Sequence, residues 1–184
     1  MLDIQKTDLE GVLLITPKRF EDARGFFSET FNAERFRQAG VTEIFVQDNH
    51  SFSRRAGTVR GLHYQAPPRA QAKLVRVLRG AVIDVAVDVR QGSPTYGRHA
   101  RAHLSAANGA QLLVPAGFLH GFATLEPDTE VAYKVSDFYS ADHDGAVFWN
   151  DPALKIDWGI DPANAVLSEK DAGAVSFADF RTPF

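Results

Sequence analysis

The sequence predicts an all-β fold, and three observations carry that prediction. Apolar residues recur mostly in short runs with a period of two, and turn-forming Gly, Pro or Asn interrupts these runs roughly every 8–12 residues. In addition, two residue pairs are of the type that forms turns between strands. The pattern places candidate strands at residues 11–16, 25–31, 44–53, 58–64, 72–78, 81–90, 96–105, 111–114, 120–124 and 130–135. So many short strands are compatible with a jelly roll, whose interior can hold a small ligand.

The two turns and one helix follow from single residues. Asn108-Gly109 favours a tight hairpin because both central positions need a positive φ, and Arg79-Gly80 marks a second turn. Both pairs predict that the flanking strands are neighbours. Asn32 is suited to cap a helix over 33–39, which would pack Phe36 onto a sheet, and Gly40 stands where a C-terminal glycine belongs.

Length and composition predict a single domain over residues 1–184. The chain has 184 residues of which 45% are hydrophobic, enough for a core without disulfides or a structural metal. After Trp149 the pattern changes to Asp-Pro steps and a weakly helical stretch over 164–180. We expect this C-terminal tail, from about residue 150, to pack on the barrel and cover apolar surface.

Composition and charge exclude several classes of function. With no cysteine, thiol nucleophiles, iron–sulfur clusters and disulfide scaffolds are ruled out, and a reducing cytoplasm is the expected location. The net charge is −3 and no basic run could track a nucleic-acid backbone, so nucleic acid is not an expected partner. No apolar stretch approaches the roughly 20 residues of a membrane span, and no membrane contact is expected.

Three predicted strands carry polar residues that would need a partner or a function if they faced the barrel interior. His63 lies two residues after Gly61, a glycine that permits close backbone approach, and a structural histidine is the competing interpretation. Lys73 alternates with Val75 and Val77, so it either meets an anionic group inside or points outward into solvent. Asp84 and Asp88 share one face of an otherwise aliphatic strand, and the pattern does not decide whether that face lines a cavity or meets water.

A metal centre is the first chemistry to test in a jelly roll. Such barrels often bind a metal through His-x-His, a carboxylate and a later histidine, but Gln65 stands where the second histidine should follow His63. His99 and His103 share a face without a carboxylate in the expected place. The sequence therefore predicts no metal, and it contains no nucleophile elbow, phosphate-binding loop or dinucleotide fingerprint either.

Several ordered motifs together resemble the dTDP-4-dehydrorhamnose 3,5-epimerase family over nearly the whole chain. They are DARGFFSE at 22–29, FVQDNHS at 45–51, GTVRGLHYQ at 57–65, KLVRV at 73–77, VPAGFLHGF at 114–122, WNDP at 149–152 and LSEKD at 167–171. The resemblance implies a cupin-type jelly roll, a homodimer, a dTDP-4-dehydro-6-deoxyhexose substrate and epimerisation without a cofactor.

The resemblance also implies four catalytic positions. His63 is the base that removes a proton α to the sugar carbonyl, and Asp171 orients that imidazole. Lys73 stabilises the developing negative charge on the carbonyl oxygen, which would account for a lysine among valines. Tyr133, which alternates with Val131 and Val135, is the implied proton donor.

Substrate-binding positions follow from the same resemblance. They are Arg24, Glu29, Gln47, Asn49, Arg60, His120, Asp144 and Lys170, with Phe20 and Phe26 as stacking surfaces. At Asp144 the family usually has a glutamate, so the side chain is shorter here. Arg60 and His63 are an odd number of residues apart, so a regular strand would point them to opposite faces. Either a bulge near Gly61 re-aims one of them, or Arg60 serves another face or a partner subunit.

Two other functions remain compatible with the sequence. An epimerase that acts on C3 only or C5 only, in another dTDP-deoxysugar pathway, would keep His63 and Lys73. A non-catalytic barrel that binds a nucleotide sugar or assembles into an oligomer would need no acid and base, which the combination of His63, Lys73, Tyr133 and Asp171 argues against.

Overall fold

The structure is a computed structural model that describes residues 2–184. Its strands are β1 Leu2–Lys6, β2 Leu13–Pro17, β3 Arg19–Asp22, β4 Gly25–Ser28, β5 Gln47–Ser53, β6 Val59–Gln65, β7 Lys73–Arg79, β8 Ala81–Asp88, β9 His99–Ser105, β10 Gln111–Val114, β11 Phe118–Thr124, β12 Thr129–Val135 and β13 Asp144–Ala146. The helices are α1 Ala33–Gln38 and α2 Glu169–Ala172, and short 3₁₀ turns cover Ala141–His143 and Pro162–Asn164.

Two antiparallel sheets face each other and confirm the predicted all-β jelly roll. The first sheet has the order β1-β2-β10-β7-β12-β5, the second has the order β13-β6-β11-β8-β9, and β3 and β4 form a separate hairpin. Side chains of the two inner faces interdigitate in one apolar cluster, as expected of packed sheets. Its members include Val75, Leu112 and Val131 from the first sheet and Val82, Leu104 and Phe122 from the second.

The outer face of the second sheet is covered by the C-terminal tail. Ile83, Val85 and Val87 of β8 pack in a cluster that contains Trp149, Trp158 and Phe180 of the tail. Two isolated parallel bridges, Thr58 with Val166 and Val147 with Val175, join the tail to the body of the fold. Because both of its faces are covered, β8 is buried along its whole length.

The predicted pairing at the two turns is wrong. Asn108-Gly109 joins β9 to β10 and Arg79-Gly80 joins β7 to β8, but in each case the two strands belong to different sheets. Asn108 Oδ1 accepts hydrogen bonds from the backbone N–H of Ser105 and Ala110, so the turn carries the chain over the edge between the sheets. The residue types predict that turns occur at these two positions, but they do not reveal which sheet the next strand joins.

The helix at 33–38 confirms the predicted cap, whereas other boundaries differ. Asn32 Oδ1 accepts the backbone N–H of Arg35 at 3.1 Å, and Phe36 is buried. The predicted strands 25–31 and 44–53 are shorter, and β1, β3 and β13 were not predicted. The stretch 164–180 holds only the four residues of α2 as α-helix, because the tail gains its stability from aromatic packing. No helix within residues 2–184 is long and apolar enough to cross a membrane.

Candidate active site

A two-lobed cavity opens between the sheets, and most of the predicted site residues line it. One lobe, of about 370 Å³, is lined by Arg60, His63, Lys73, His120, Tyr133, Lys170 and Asp171 among others. The other, of about 360 Å³, shares His63, Lys73, Tyr133 and Lys170 and adds Gln47, Asn49, Tyr139 and Asp144. The shared residues make the two lobes one continuous site.

His63 is held from behind by a carboxylate of the tail. Its Nε2 is hydrogen-bonded to Asp171 Oδ1, and Asp171 Oδ2 accepts the hydroxyl of Ser168 at 2.9 Å. Burial by itself raises the pKa of Asp171, but the hydrogen bonds from His63 and Ser168 outweigh it and leave the pKa below its ordinary value. Because the ionised carboxylate of Asp171 is hydrogen-bonded to Nε2 of His63, Nδ1 is the ring nitrogen that does not contact Asp171.

A β-bulge resolves the conflict between Arg60 and His63. His120 of β11 pairs with His63 of β6, and Phe122 of β11 pairs with Arg60 of β6. These two pairs are two residues apart along β11 but three residues apart along β6, so β6 contains one extra residue. The bulge turns both side chains toward the same cavity. Gly61 is needed there, because its φ is +144° and a Cβ would lie 2.5 Å from the Cα of Gly121.

Lys73 faces the barrel interior, so the outward interpretation is excluded. It begins β7, shares a face with the buried Val75 and Val77, and lines both lobes of the cavity. Burial lowers the pKa of Lys73 from 10.5 to about 8, the negative charges of Asp144 and Asp84 oppose that change, and Lys170 adds to it. A cation on an apolar wall is available to meet developing negative charge.

Tyr133 approaches the cavity from the sheet opposite to His63. It lies on β12 of the first sheet between Asn49 of β5 and Val75 of β7, whereas His63 belongs to the second sheet. Burial raises the pKa of the Tyr133 phenol; Arg60 counteracts that change and Asp144 adds to it. The phenol therefore stays neutral at physiological pH and is a possible proton donor.

His120 forms a second histidine–carboxylate pair with Asp84. His120 Nε2 lies 2.9 Å from Asp84 Oδ1, and both side chains are almost completely buried. The polar face of β8, which the sequence left undecided, therefore points into the barrel. Asp88, the other carboxylate of that face, binds Arg90, Ser93 and Thr95 at the end of the strand.

The second lobe is rimmed by polar side chains around Asp144. Asp144 pairs with Lys170 of α2 and accepts the hydroxyl of Tyr139 at 3.3 Å. Gln47 donates to Asn49 Oδ1 at 3.0 Å and accepts the backbone N–H of Tyr139 at 3.1 Å. This rim combines amide, carboxylate and ammonium groups with one largely exposed aromatic ring, that of Tyr139.

Four predicted binding residues lie outside the cavity of this chain. Phe20 and Phe26 are exposed on the β3–β4 hairpin, Arg24 pairs with Asp22 at its tip, and Glu29 pairs with Arg35 of α1. None of the four lines either lobe. Within residues 2–184 no cluster of three or more His, Asp and Glu side chains is arranged to hold a metal ion.

Comparison with known proteins identifies the family. The model of the family described as dTDP-4-dehydrorhamnose 3,5-epimerase matches residues 6–179. The chain belongs to the dTDP-4-dehydrorhamnose 3,5-epimerase family. It is 52% identical over 180 residues to the dTDP-4-dehydrorhamnose 3,5-epimerase of Sinorhizobium fredii, covering 98% of this chain and 92% of the relative. As a member of this family the chain is an isomerase.

Two solved structures of epimerases bear on the substrate. The Legionella pneumophila dTDP-6-deoxy-D-glucose-3,5-epimerase in complex with dTDP-4-keto-L-rhamnose has a TM-score of 0.93 at 42% identity, covering 98% of this chain and 95% of that one. A 3′-monoepimerase from Streptomyces bikiniensis in complex with dTDP-quinovose has a TM-score of 0.87 at 35% identity, covering 94% and 86%. The fold of the epimerase family is thus common to double and single epimerases.

Two residues of the epimerase site, Tyr139 and Ser168, are not among the sequence predictions, and the sequence leaves the position of a third, Asp84, undecided. Tyr139 at the rim, Asp84 beneath His120 and Ser168 beside Asp171 each contact a predicted site residue. Ser168 had a local signal, since Ser-x-x-Asp is the spacing of an N-cap whose hydroxyl meets the first turn. Asp84 had one too, because a carboxylate within a continuous apolar strand needs a buried partner.

Proposed function

We propose that this epimerase inverts C3 and C5 of dTDP-4-dehydro-6-deoxy-D-glucose to give dTDP-4-dehydro-L-rhamnose without a cofactor. One observation carries the proposal: a histidine base and a neutral tyrosine face the same cavity from opposite sheets, with a lysine cation beside them. Inversion requires a proton to leave one face of the ring and another to arrive at the opposite face. Two sheets that pack about 10 Å apart leave room for a sugar ring between base and acid.

The proposed step begins at His63. Its free ring nitrogen removes the proton from the carbon next to the C4 carbonyl, and the electron pair moves through an enolate onto the carbonyl oxygen. Lys73 stabilises that oxyanion, and Asp171 stabilises the imidazolium that forms. Tyr133 then donates its phenolic proton to the opposite face of the same carbon. After each inversion His63 releases the abstracted proton to solvent and the phenolate of Tyr133 takes up a proton from solvent, and the sequence repeats at the second carbon.

We assign the substrate contacts to the residues that rim the cavity. Arg60 and Lys170 supply positive charge suited to the diphosphate, and the exposed ring of Tyr139 offers a stacking surface for the thymine. Polar contacts to the sugar and the nucleoside are assigned to Gln47, Asn49, His120 and Asp144. The Legionella pneumophila enzyme, crystallised with a dTDP-4-keto sugar, supports this class of ligand.

We further propose that the enzyme is a homodimer in which the β3–β4 hairpin serves the partner's cavity. Phe20 and Phe26 are more than half exposed on this hairpin. Exposure of these aromatic rings to water is unfavourable unless another surface covers them. Arg24 and Glu29 lie at the same end of the chain and also miss the cavity of their own subunit. A second copy would bring all four to a nucleotide-binding site.

The alternative is a single epimerase, which acts on C3 only or C5 only. The Streptomyces bikiniensis monoepimerase has the same fold, so the fold does not separate the two activities. Tyr133 does not separate the two activities, because a single inversion also needs an acid on the face opposite to His63. The double reaction is favoured because the Sinorhizobium fredii 3,5-epimerase is 52% identical to this chain, whereas the monoepimerase is 35% identical.

Proton NMR in heavy water with the 4-keto sugar nucleotide tests the proposal. We expect deuterium at both C3 and C5 and a product with both centres inverted, with EDTA present throughout. Exchange at one carbon would move the chain to the single epimerases. No exchange at either carbon would refute the proposed reaction for this substrate.

A further inference from the structure

Asp84 lies beneath His120, one residue behind the cavity lining, and the proposed steps do not use it. Its side chain is completely buried, and Oδ1 is held by His120. Its other oxygen, Oδ2, is the single fully buried side-chain polar atom among residues 2–184 that lacks a hydrogen-bond partner. An orphaned carboxylate oxygen in an apolar interior is costly and requires an explanation in function.

The position of Asp84 connects it to two residues of the site. Asp84 pairs with Phe122 across β8 and β11, and His120, two residues before Phe122, turns its imidazole toward the carboxylate. Because an ionised Asp84 is only an acceptor, His120 Nε2 must carry the proton of their hydrogen bond. The remaining nitrogen, Nδ1, has no hydrogen bond to another described residue, and His120 lines the cavity.

Lys73 is the second residue that Asp84 influences. The negative charge of Asp84 raises the pKa of Lys73 and so opposes the effect of burial. Other ionisable groups line the cavity together with Lys73. They are Arg60, His63 and Tyr64 of β6, His120 of β11, Tyr133 of β12, Tyr139, Asp144 of β13, and Lys170 and Asp171 of α2. Of the two carboxylates that raise the pKa of Lys73, Asp144 is already paired with Lys170.

We propose that Asp84 is a positioning residue that acts through His120 and Lys73. It holds His120 as the Nε2–H tautomer, which presents Nδ1 to the cavity as an acceptor for a sugar hydroxyl. It also places a negative charge behind the cavity lining, which helps to keep the Lys73 ammonium protonated for the enolate. The second role rests on the proposed function of Lys73, whereas the first does not.

The isosteric variant Asp84→Asn tests the charge. Because the amide is neutral, Lys73 loses its proton at lower pH, and we expect the basic limb of the kcat–pH profile for C3 and C5 exchange to move down by about one pH unit. Near the optimum the loss of rate is small and grows toward high pH. An unshifted limb with a uniform loss of rate would mean a structural role only, and it would overturn the proposal.

The matched control is Asp88→Asn. Asp88 lies on the same face of the same strand, but its carboxylate is satisfied by Arg90, Ser93 and Thr95 outside the cavity. This variant loses stability, and we expect the basic limb of its exchange profile to coincide with that of the unmodified enzyme. If Asp88→Asn moves the limb as far as Asp84→Asn, the shift is not specific to Asp84, and the proposal fails.

A measurement on the unmodified protein remains decisive if Asp84→Asn does not fold. Nitrogen-15 NMR of labelled histidine, assigned with His120→Gln, reads the tautomer of His120 directly and needs no substrate. We expect protonated Nε2 and unprotonated Nδ1; the reverse tautomer overturns the proposal. An enzyme without exchange at C3 and C5 would refute the proposed function, while the tautomer would still test how Asp84 holds His120.

Discussion

Two histidine–carboxylate pairs stand next to each other on the second sheet, since His63 and His120 are opposite one another in β6 and β11. In both pairs Nε2 of the imidazole meets an aspartate. The side chain of His63 is 29% exposed and that of His120 only 7%. Both imidazoles line the cavity, but the first pair is partly exposed to solvent and the second is almost completely buried.

Access decides which pair can take up a proton from a substrate. An imidazole that solvent reaches can gain and lose protons, whereas an almost completely buried one orients a hydrogen bond and contributes to the local electric field. The partners also differ in origin: Asp84 comes from the neighbouring strand, but Asp171 comes from the tail, 108 residues after His63. The reactive pair is thus assembled only when the tail docks.

The largest expected difference between the pairs comes from removing each histidine. We expect His63→Ala to lower exchange at C3 and C5 by about 10⁴-fold, because His120, the neighbouring imidazole, is assigned a hydrogen bond to the substrate and not proton transfer. His120→Ala should cost about tenfold, mainly in KM, for the loss of one hydrogen bond. Deuterium exchange followed by NMR measures both. Equal losses would mean that the buried histidine is also a base and would remove the distinction.

Replacing the aspartate of each pair tests the same distinction between the two histidines. Asp171→Asn should lower kcat on the order of 10³-fold with little change in KM, since the amide no longer fixes the tautomer or stabilises the imidazolium of His63. Steady-state kinetics at several pH values check this loss. Asp84→Asn should instead leave most of the rate at the optimum and move only the basic limb. A uniform 10³-fold loss in both variants would contradict the division of roles.

Tyr133→Phe tests whether the tyrosine on the opposite sheet donates its proton in a step separate from proton removal by His63. We expect inversion to fall by about 10²-fold while exchange falls much less, because His63 can still remove and return a proton on its own face. Proton NMR reports inversion and exchange in the same sample. Tyr96→Phe is the control, since Tyr96 packs on Phe177 away from the cavity. If exchange falls as far as in His63→Ala, the tyrosine has a different role.

The smallest effect is expected from Ser168→Ala, behind the His63 pair. The hydroxyl caps α2 and donates to Asp171, so its loss should cost about 1 kcal/mol of unfolding free energy at pH 7. Because the folded pKa of Asp171 is depressed, its stabilisation is complete above the unfolded pKa of about 4 and disappears as the pH falls through the folded value. The difference between wild type and variant should therefore narrow in acid, as urea unfolding at pH 7 and pH 3 can show.

Ser176→Ala is a matched control for that measurement. Ser176 and Asp179 repeat the Ser-x-x-Asp arrangement eight residues further on, with the hydroxyl donating to the carboxylate at 2.7 Å. Asp179 is exposed and has no histidine partner, so we expect a smaller loss of unfolding free energy at pH 7. An equal loss in both serine variants would mean that the serine cap alone, and not the His63 pair, accounts for the stabilisation.

Much of the fold could be predicted, because alternation and turn residues are local. The helix behind Asn32 and the interior strands followed from patterns within ten residues. The pairing across Asn108-Gly109 could not be predicted, since a hairpin and a crossover between sheets use the same turn residues. The bulge at Gly61 was one of two alternatives, and only the register of β6 against β11 chose between them.

The sequence by itself determined the jelly roll, the family and the types of residue available for proton transfer. It did so because periodicity and ordered motifs are properties of the chain alone. Only the tertiary structure decided that Lys73 and Asp84 face inward, that Arg60 and His63 share a cavity, and that Phe20 and its neighbours lie outside it. The physical reason is that a side chain's burial, and with it the pKa of a group such as Lys73, depends on which strand or tail segment covers it, and that covering segment can be distant in sequence.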